Sequence, residues 1–224
     1  MLITLDLLTA EELREVRALL AGADWDDGRS TAGAQAVQVK RNEQLPADSQ
    51  AARAARAIVA RAPEPSPAFL APALPRKLFP PHFNRYREDG SHYGPHVDGA
   101  VRFTADGERV RTDLSCTLFL CDPHEYEGGE LVVHDGEARR SIKLAAGRAV
   151  LYPGTHVHEV TPVTRGQRLA SFFWIESMVR SGEQRRLLYE FDQALLGLRA
   201  QGESAATVAL TGTYHNLLRL WADT

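Results

Sequence analysis

The chain has little cysteine: two residues in 224, Cys116 and Cys121. That excludes a disulfide framework. On one strand a separation of five would put the two on opposite faces, so they could not pair locally. They read as small buried apolar residues in a reducing cytoplasm. Long apolar runs are also missing. No stretch of eighteen apolar residues occurs, so no membrane-spanning helix is expected. The start, Met1 to Leu8, lacks a basic segment and meets Asp6 early, which argues against a signal peptide. Positive charge is not in excess either. With 26 Lys and Arg against 29 Asp and Glu, the net charge is −3, which argues against nucleic-acid binding driven by bulk charge. Internal repeats and low-complexity segments are absent.

What remains is ordinary soluble-protein composition, 44% hydrophobic and 25% charged, in a chain long enough for one domain with appendages. Thr9-Ala-Glu-Glu12 is a capping-box pattern, and Leu13, Val16, Leu19 and Leu20 follow as one helical stripe, which predicts a helix over 9–21. A loop from Trp25 leads to a short strand expected at Ala36–Lys40. A second helix is predicted over 49–61, stopped by Pro63, Pro65 and Pro67. From Lys77 short β-branched and aromatic runs alternate with turn signals, as in an antiparallel barrel or sandwich. Strands are predicted at 77–85, 93–98, 115–121, 129–134, 140–144, 149–152, 159–162 and 169–175, close to the eight of a double-sheet jelly roll. Beyond Ser181 two apolar stripes return at helical spacing: Leu187, Leu188, Phe191, Leu195 and Leu198, then Leu210, Tyr214, Leu217, Leu218 and Trp221. The expected fold is mainly β with flanking helices: a helical lead-in over 1–76, a β core over 77–178 and a C-terminal helical hairpin over 179–224. The hairpin's apolar stripes must be buried, and a homodimer formed through them is one expected solution.

The residues able to carry chemistry gather in the strand-rich part. In His96-Val97-Asp98 an extended backbone puts an imidazole and a carboxylate on one face. A third ligand is available from His156-Val157-His158, where alternation alone does not choose between the histidines. Two histidines and a carboxylate form the facial triad of non-haem Fe(II) oxygenases, which leaves open positions on the metal. Arg168, ten residues past His158, introduces the apolar run Leu169–Ile175; a buried guanidinium there needs an anion, such as the carboxylate of a co-substrate. Tyr86 precedes His96 by ten residues, a parity that one continuous strand would keep on one face.

On these residues the chain resembles the bacterial PKHD-type hydroxylases, iron- and 2-oxoglutarate-dependent dioxygenases related to prolyl and lysyl hydroxylases. The likeness runs through Gly28–Gln35, Phe83-Asn-Arg-Tyr86, Tyr93–Asp98, Glu127–Leu131, Leu151–Thr155, His158–Pro162, Ser171–Ile175 and Leu210–Leu218. It implies a double-stranded β-helix (jelly-roll, cupin-like) core, Fe(II) held by His96, Asp98 and His158, and 2-oxoglutarate held by Arg168 with Tyr86 as a further contact. Position before Glu-Val-Thr-Pro selects His158 over His156. A second co-substrate tyrosine of the family falls on Phe119, which removes one hydrogen bond. The implied activity is hydroxylation of a C–H bond in a peptidyl or small-molecule substrate, with release of succinate and CO2 and with ascorbate in support. Two rival readings share the residues: a cupin-like isomerase or hydrolase, which leaves Arg168 without a task, and a sensor that binds iron or 2-oxoglutarate without turnover.

Overall fold

The capping box at Thr9 forms as its residues dictate. The Glu12 amide donates to the Thr9 hydroxyl at 3.2 Å, and the Thr9 amide donates to the Glu12 carboxylate at 2.9 Å. The computed structural model describes residues 1–31 and 36–223. In chain order the first half comprises β1 (Ile3–Asp6), α1 (Ala10–Ala21), β2 (Asp26–Asp27), β3 (Lys40–Arg41), β4 (Glu43–Gln44), α2 (Gln50–Arg61), α3 (Pro67–Ala73), β5 (Pro75–Leu78), β6 (His82–Arg87) and β7 (His92–His96). There follow β8 (Val101–Phe103), β9 (Arg109–Arg111), β10 (Leu114–Phe119), β11 (Tyr126–Gly128), β12 (Leu131–Asp135), β13 (Ala138–Ile142), β14 (Arg148–Pro153), β15 (His158–Val160) and β16 (Val163–Ser177). Helices α4 (Gly182–Arg199) and α5 (Ala205–Trp221) close the chain.

The larger sheet runs β1-β14-β10-β16-β6-β4-β2, with β5 and β11 also paired to β16; the smaller runs β13-β12-β15-β7-β3. Neighbours are antiparallel in both. Strand β16, fifteen residues long, is the spine, and its alternation separates two environments. Phe173 points outward and meets Phe69 of α3, ring centroids 6.3 Å apart. There it joins Val16, Leu20, Ala55, Ile58 and Val59 in a core that caps the larger sheet with helices. Arg168, Phe172 and Trp174 point the other way, into a cavity between the two sheets. The result is the expected mainly β fold, a jelly roll flanked by helices.

Several expectations need correction. The segment 36–40 is a 3₁₀ turn over Ala36–Val39 and only then a strand. The strand expected over 77–85 is split into β5 and β6, because Pro80 and Pro81 lack the amides a ladder requires. Pro67 starts α3 at its first turn as well as ending the preceding run. Of the motif Gly28–Gln35, residues 32–35 lie outside the described residues. Both cysteines are buried and free, as expected. The hairpin stripe on α4 is narrower than predicted: Leu188 and Leu195 are buried, while Leu187 and Leu198 are exposed. Leu188 packs with Leu74 and Val179 of the same chain, joined by Tyr214, Leu217, Leu218 and Trp221 of α5. No described helix is long and apolar enough to cross a membrane.

Candidate metal centre

Strands β15 and β7 are neighbours in the smaller sheet, with His158 directly opposite His96. Cross-strand partners share a face, and the two imidazole rings lie 4.3 Å apart. Asp98 follows just beyond the end of β7 and brings Oδ2 to 3.6 Å from His158 Nε2. The ligand atoms of His96, Asp98 and His158 all fall within 4.8 Å of one another.

Backbone carbonyls set the tautomers. His96 Nδ1 lies 2.9 Å from the Gly94 oxygen, and His158 Nδ1 lies 3.1 Å from the His156 oxygen. A carbonyl can only accept, so each Nδ1 carries the hydrogen and each Nε2 keeps its lone pair. Burial first, and then the neighbouring His158 charge, push the His96 imidazole down to about 4, so it is neutral at pH 7. Burial would raise Asp98, but the charge of His158 and hydrogen bonds from Trp174 and Ser115 outweigh it and hold the carboxyl below its ordinary range. The Ser115 hydroxyl donates to Asp98 Oδ2 at 2.7 Å. Two imidazoles presenting Nε2 and one ionised carboxylate converging on a point suit a ferrous ion. His156 is not in the cluster. Its amide closes a turn onto the Pro153 oxygen, and β15 begins only at His158, so the alternation that tied the two histidines together does not apply.

Arg168 lines the same cavity from the larger sheet, opposite Tyr86 of β6. It is 1% exposed, and none of its three side-chain nitrogens has a hydrogen-bond partner among the described residues. The guanidinium lies 5.2 Å from the Tyr86 ring and 5.3 Å from the Phe119 ring. A buried cation without an acceptor is strongly penalised, and an anion in the cavity removes the penalty. Tyr86 and His96 do not share a continuous strand; they line the one cavity from different sheets.

The sequence reading missed Tyr126. Its buried hydroxyl also lacks a formed hydrogen bond and sits beside Arg168. The signal was its position just before Glu127-Gly128-Gly129. Gly129 has φ +66°, and a Cβ there would meet Tyr126 Cε2 at 3.0 Å and Arg168 Cδ at 3.1 Å. Glycine is what lets these two side chains close over the turn.

His82 carries the clearest pH dependence outside the cluster. Its ring is stacked between Phe79 and Phe172, both centroids 5.6 Å away. Burial, followed by the charges of Arg56, Arg102 and Lys40, lowers its pKa from 6.5 to about 4. The unfolded chain therefore binds the proton near 6.5 and the folded chain only near 4, so stability falls as pH drops through that window. At ~1.4 kcal/mol per unit the loss is on the order of 3 kcal/mol. Denaturant titrations of the metal-free protein across this range check it: His82→Gln makes the dependence shallower and leaves the part due to His96, and an unchanged dependence places the acid sensitivity elsewhere.

Fold and site together define the class: a jelly-roll oxygenase that uses Fe(II) and 2-oxoglutarate. Residues 81–176 match the family model described as 2OG-Fe(II) oxygenase superfamily, and residues 183–223 match that of the PKHD-type hydroxylase C-terminal domain. Within that class the chain belongs to the PKHD-type hydroxylases. It is 59% identical to a PKHD-type hydroxylase of Verminephrobacter eiseniae over 226 aligned positions, which cover 100% of both chains. Among solved structures, a Pseudomonas putida prolyl-4-hydroxylase is similar at 23% identity and a TM-score of 0.52, over 79% of this chain and 92% of that one. A prolyl hydroxylase from Trichoplax adhaerens, solved with a hypoxia inducible factor peptide fragment, has 16% identity and a TM-score of 0.55, over 84% of this chain and 86% of that one. The two structures share the fold. The protein is therefore an enzyme, a 2-oxoglutarate-dependent dioxygenase.

Proposed function

We propose that His96, Asp98 and His158 hold the Fe(II), and that Arg168 holds the distal carboxylate of 2-oxoglutarate. The enzyme then hydroxylates a C–H bond of a peptidyl or small-molecule substrate and releases succinate and CO2. The observation that carries this reading is the orphaned guanidinium of Arg168, buried in the cavity that the three metal-type ligands also line. Bound together, Fe(II) and 2-oxoglutarate supply the oxygen-activating chemistry that side chains lack. The protein's part is orientation. The Gly94 and His156 carbonyls aim the two Nε2 atoms, Ser115 and Trp174 fix Asp98, and the Arg168 fork sets the co-substrate's direction. Ascorbate supports activity by keeping the iron ferrous. A peptidyl substrate draws support from the Trichoplax adhaerens relative, which was solved with a peptide. The cytoplasm, where iron and the two free thiols stay reduced, is the proposed compartment.

Anaerobic calorimetry tests the reading. The expected result is one Fe(II) per chain and 2-oxoglutarate binding that is at least ~100-fold weaker without metal. Equal affinity with and without metal would overturn the shared site.

Tyr126 takes the place of the hydrogen-bond donor lost at Phe119. Tyr126→Phe should raise the 2-oxoglutarate Kd about 10- to 150-fold, the worth of one hydrogen bond to a charged group. An unchanged Kd removes Tyr126 from the co-substrate site. Self-association is the remaining element of the reading. Leu187, Leu196, Leu198, Val208 and Leu220 stay exposed on the C-terminal helices, and a second copy of the chain is proposed to cover them. Light scattering that gives a monomer at micromolar concentration contradicts that.

A further inference from the structure

The cavity holds polar groups that neither the metal cluster nor Arg168 uses. Asn84 lies on β6 two residues before Tyr86 and points the same way. Across the ladder it meets Ala170, the small residue between Arg168 and Phe172 on the cavity face of β16. Asn42 enters the same cavity from the connection between β3 and β4. Asn84 is 9% exposed and Asn42 6%. Asn84 Nδ2 donates to the Tyr86 hydroxyl at 3.4 Å, while its Oδ1 has no partner among the described residues. Asn42 lies beside the same hydroxyl without completing a hydrogen bond, and both its Oδ1 and its Nδ2 lack a partner among the described residues. Gly28 makes room for this carboxamide, since any Cβ there would collide with Asn42 Oδ1. Two carboxamide oxygens and one NH2 group are therefore unmet around the Tyr86 hydroxyl.

Hydrogen-bond chemistry decides which ligand can meet them. A buried amide group left without a partner is costly, so each one needs an explanation. 2-Oxoglutarate offers carboxylate and keto oxygens, which accept and never donate. It can take an N–H from Asn42 but can give nothing to either Oδ1. The iron is held by His96, Asp98 and His158 in the reading above, and it leaves both oxygens as they are. The molecule that is hydroxylated is the remaining ligand, and it must bring an N–H or O–H group. Turning the Asn42 amide end for end leaves this demand in place, because both of its ends are unmet. An amide suits the set best: it is neutral, as the carboxamides are, and it carries a donor and an acceptor side by side. We propose that Asn42 and Asn84 form an amide subsite, so that the molecule hydroxylated presents a peptide bond or a carboxamide to this part of the cavity. The inference rests on the iron and 2-oxoglutarate reading above and deepens it by naming a group that the substrate carries. Asn42, with both ends unmet, is the specificity-determining residue.

The test uses full-length protein loaded with Mn(II) and saturating 2-oxoglutarate, each loading verified by calorimetry before a probe is added. The probes are N-methylacetamide, a peptide-bond mimic, acetamide, a carboxamide mimic, and methyl acetate, which has the shape of N-methylacetamide but no N–H. Binding is read from the relaxation that Mn(II) imposes on the methyl protons of the probe, which also places the probe in the metal's cavity. The expected result is that at least one amide binds at least ~threefold more tightly than methyl acetate, the increment of one hydrogen bond. Whichever amide binds better identifies the group as peptide bond or carboxamide. Asn42→Leu, close in volume and without polar atoms, should bring that amide down to the level of methyl acetate and leave 2-oxoglutarate affinity unchanged. It should also raise the thermal midpoint of the metal-free protein by about 2–4 °C, because an unmet buried group is removed. A residue with a merely structural task would lower that midpoint. The parent's preference among the probes stands whether or not the variant folds. The proposal is overturned if neither amide outbinds methyl acetate, as in a cavity that holds only water there. It is equally overturned if Asn42→Leu binds the amide as the parent does, loses 2-oxoglutarate instead, or has a lowered midpoint. A failure at the loading step overturns the iron and 2-oxoglutarate reading itself, and this inference with it.

Discussion

His158→Ala should remove Fe(II) binding, while His156→Ala should bind iron as the parent does. The two histidines are separated by one residue but have different tasks. His158 Nε2 faces Asp98 at 3.6 Å, whereas His156 contributes its backbone oxygen, which accepts from His158 Nδ1. A backbone oxygen survives substitution by alanine, so the orienting hydrogen bond is retained. Loss of an outer partner alone typically weakens a metal ~10- to 100-fold, and loss of one of three ligating atoms should exceed that range. Anaerobic equilibrium dialysis with metal analysis reads the difference. Iron retained by His158→Ala and lost by His156→Ala would move the third ligand and undo the site as drawn.

Arg168→Ala should weaken 2-oxoglutarate by about 100- to 4,000-fold and leave Fe(II) affinity unchanged. Removing one partner of a buried, charge-assisted pair costs about 3–5 kcal/mol. That figure converts to the stated loss at ~1.4 kcal/mol per tenfold. Arg168→Lys should recover only part, since an ammonium is a point charge and cannot match both carboxylate oxygens at once. Two other arginines near Arg168 in the sequence or in the neighbouring strand are engaged elsewhere. Arg85 pairs with Glu43 at 2.5 Å and lies over the Trp25 ring. Arg165 pairs with Glu127 at 2.7 Å on the exposed side of β16. Calorimetry on the metal-loaded variant that gives parental affinity would leave the buried guanidinium without a role.

The gathering of His96, Asp98 and His158 was legible because each lies in or beside a strand whose alternation and turn signals stand out in the sequence. Arg168 was legible because a charge at the start of an apolar run has to be answered by something. The choice between His156 and His158 was not open to alternation, since it depends on a turn that closes at His156 and starts β15 two residues later. Parity likewise could not relate Tyr86 to His96. Parity works along one strand, and the chain changes sheets between β6 and β7. Tyr126 beside Arg168, and Arg102 and Lys40 in the cavity lining, escaped notice because each lies on a strand of two or three residues, too short to show a period. The α4 stripe was read too wide: Leu188 and Leu195 turn inward as expected, while Leu187 and Leu198 do not. Leu74, which lies far away in sequence, decides that Leu188 turns inward.

The most direct test of the central claim is conversion of 2-oxoglutarate to succinate by the purified protein, without added substrate, with Fe(II), ascorbate and air. The account predicts slow succinate formation that requires both iron and oxygen, that is matched by CO2 release, and that is lost in His96→Ala, Asp98→Ala and His158→Ala. Tight binding of iron and 2-oxoglutarate with no succinate formed, or succinate formed equally by the triad variants, would contradict it.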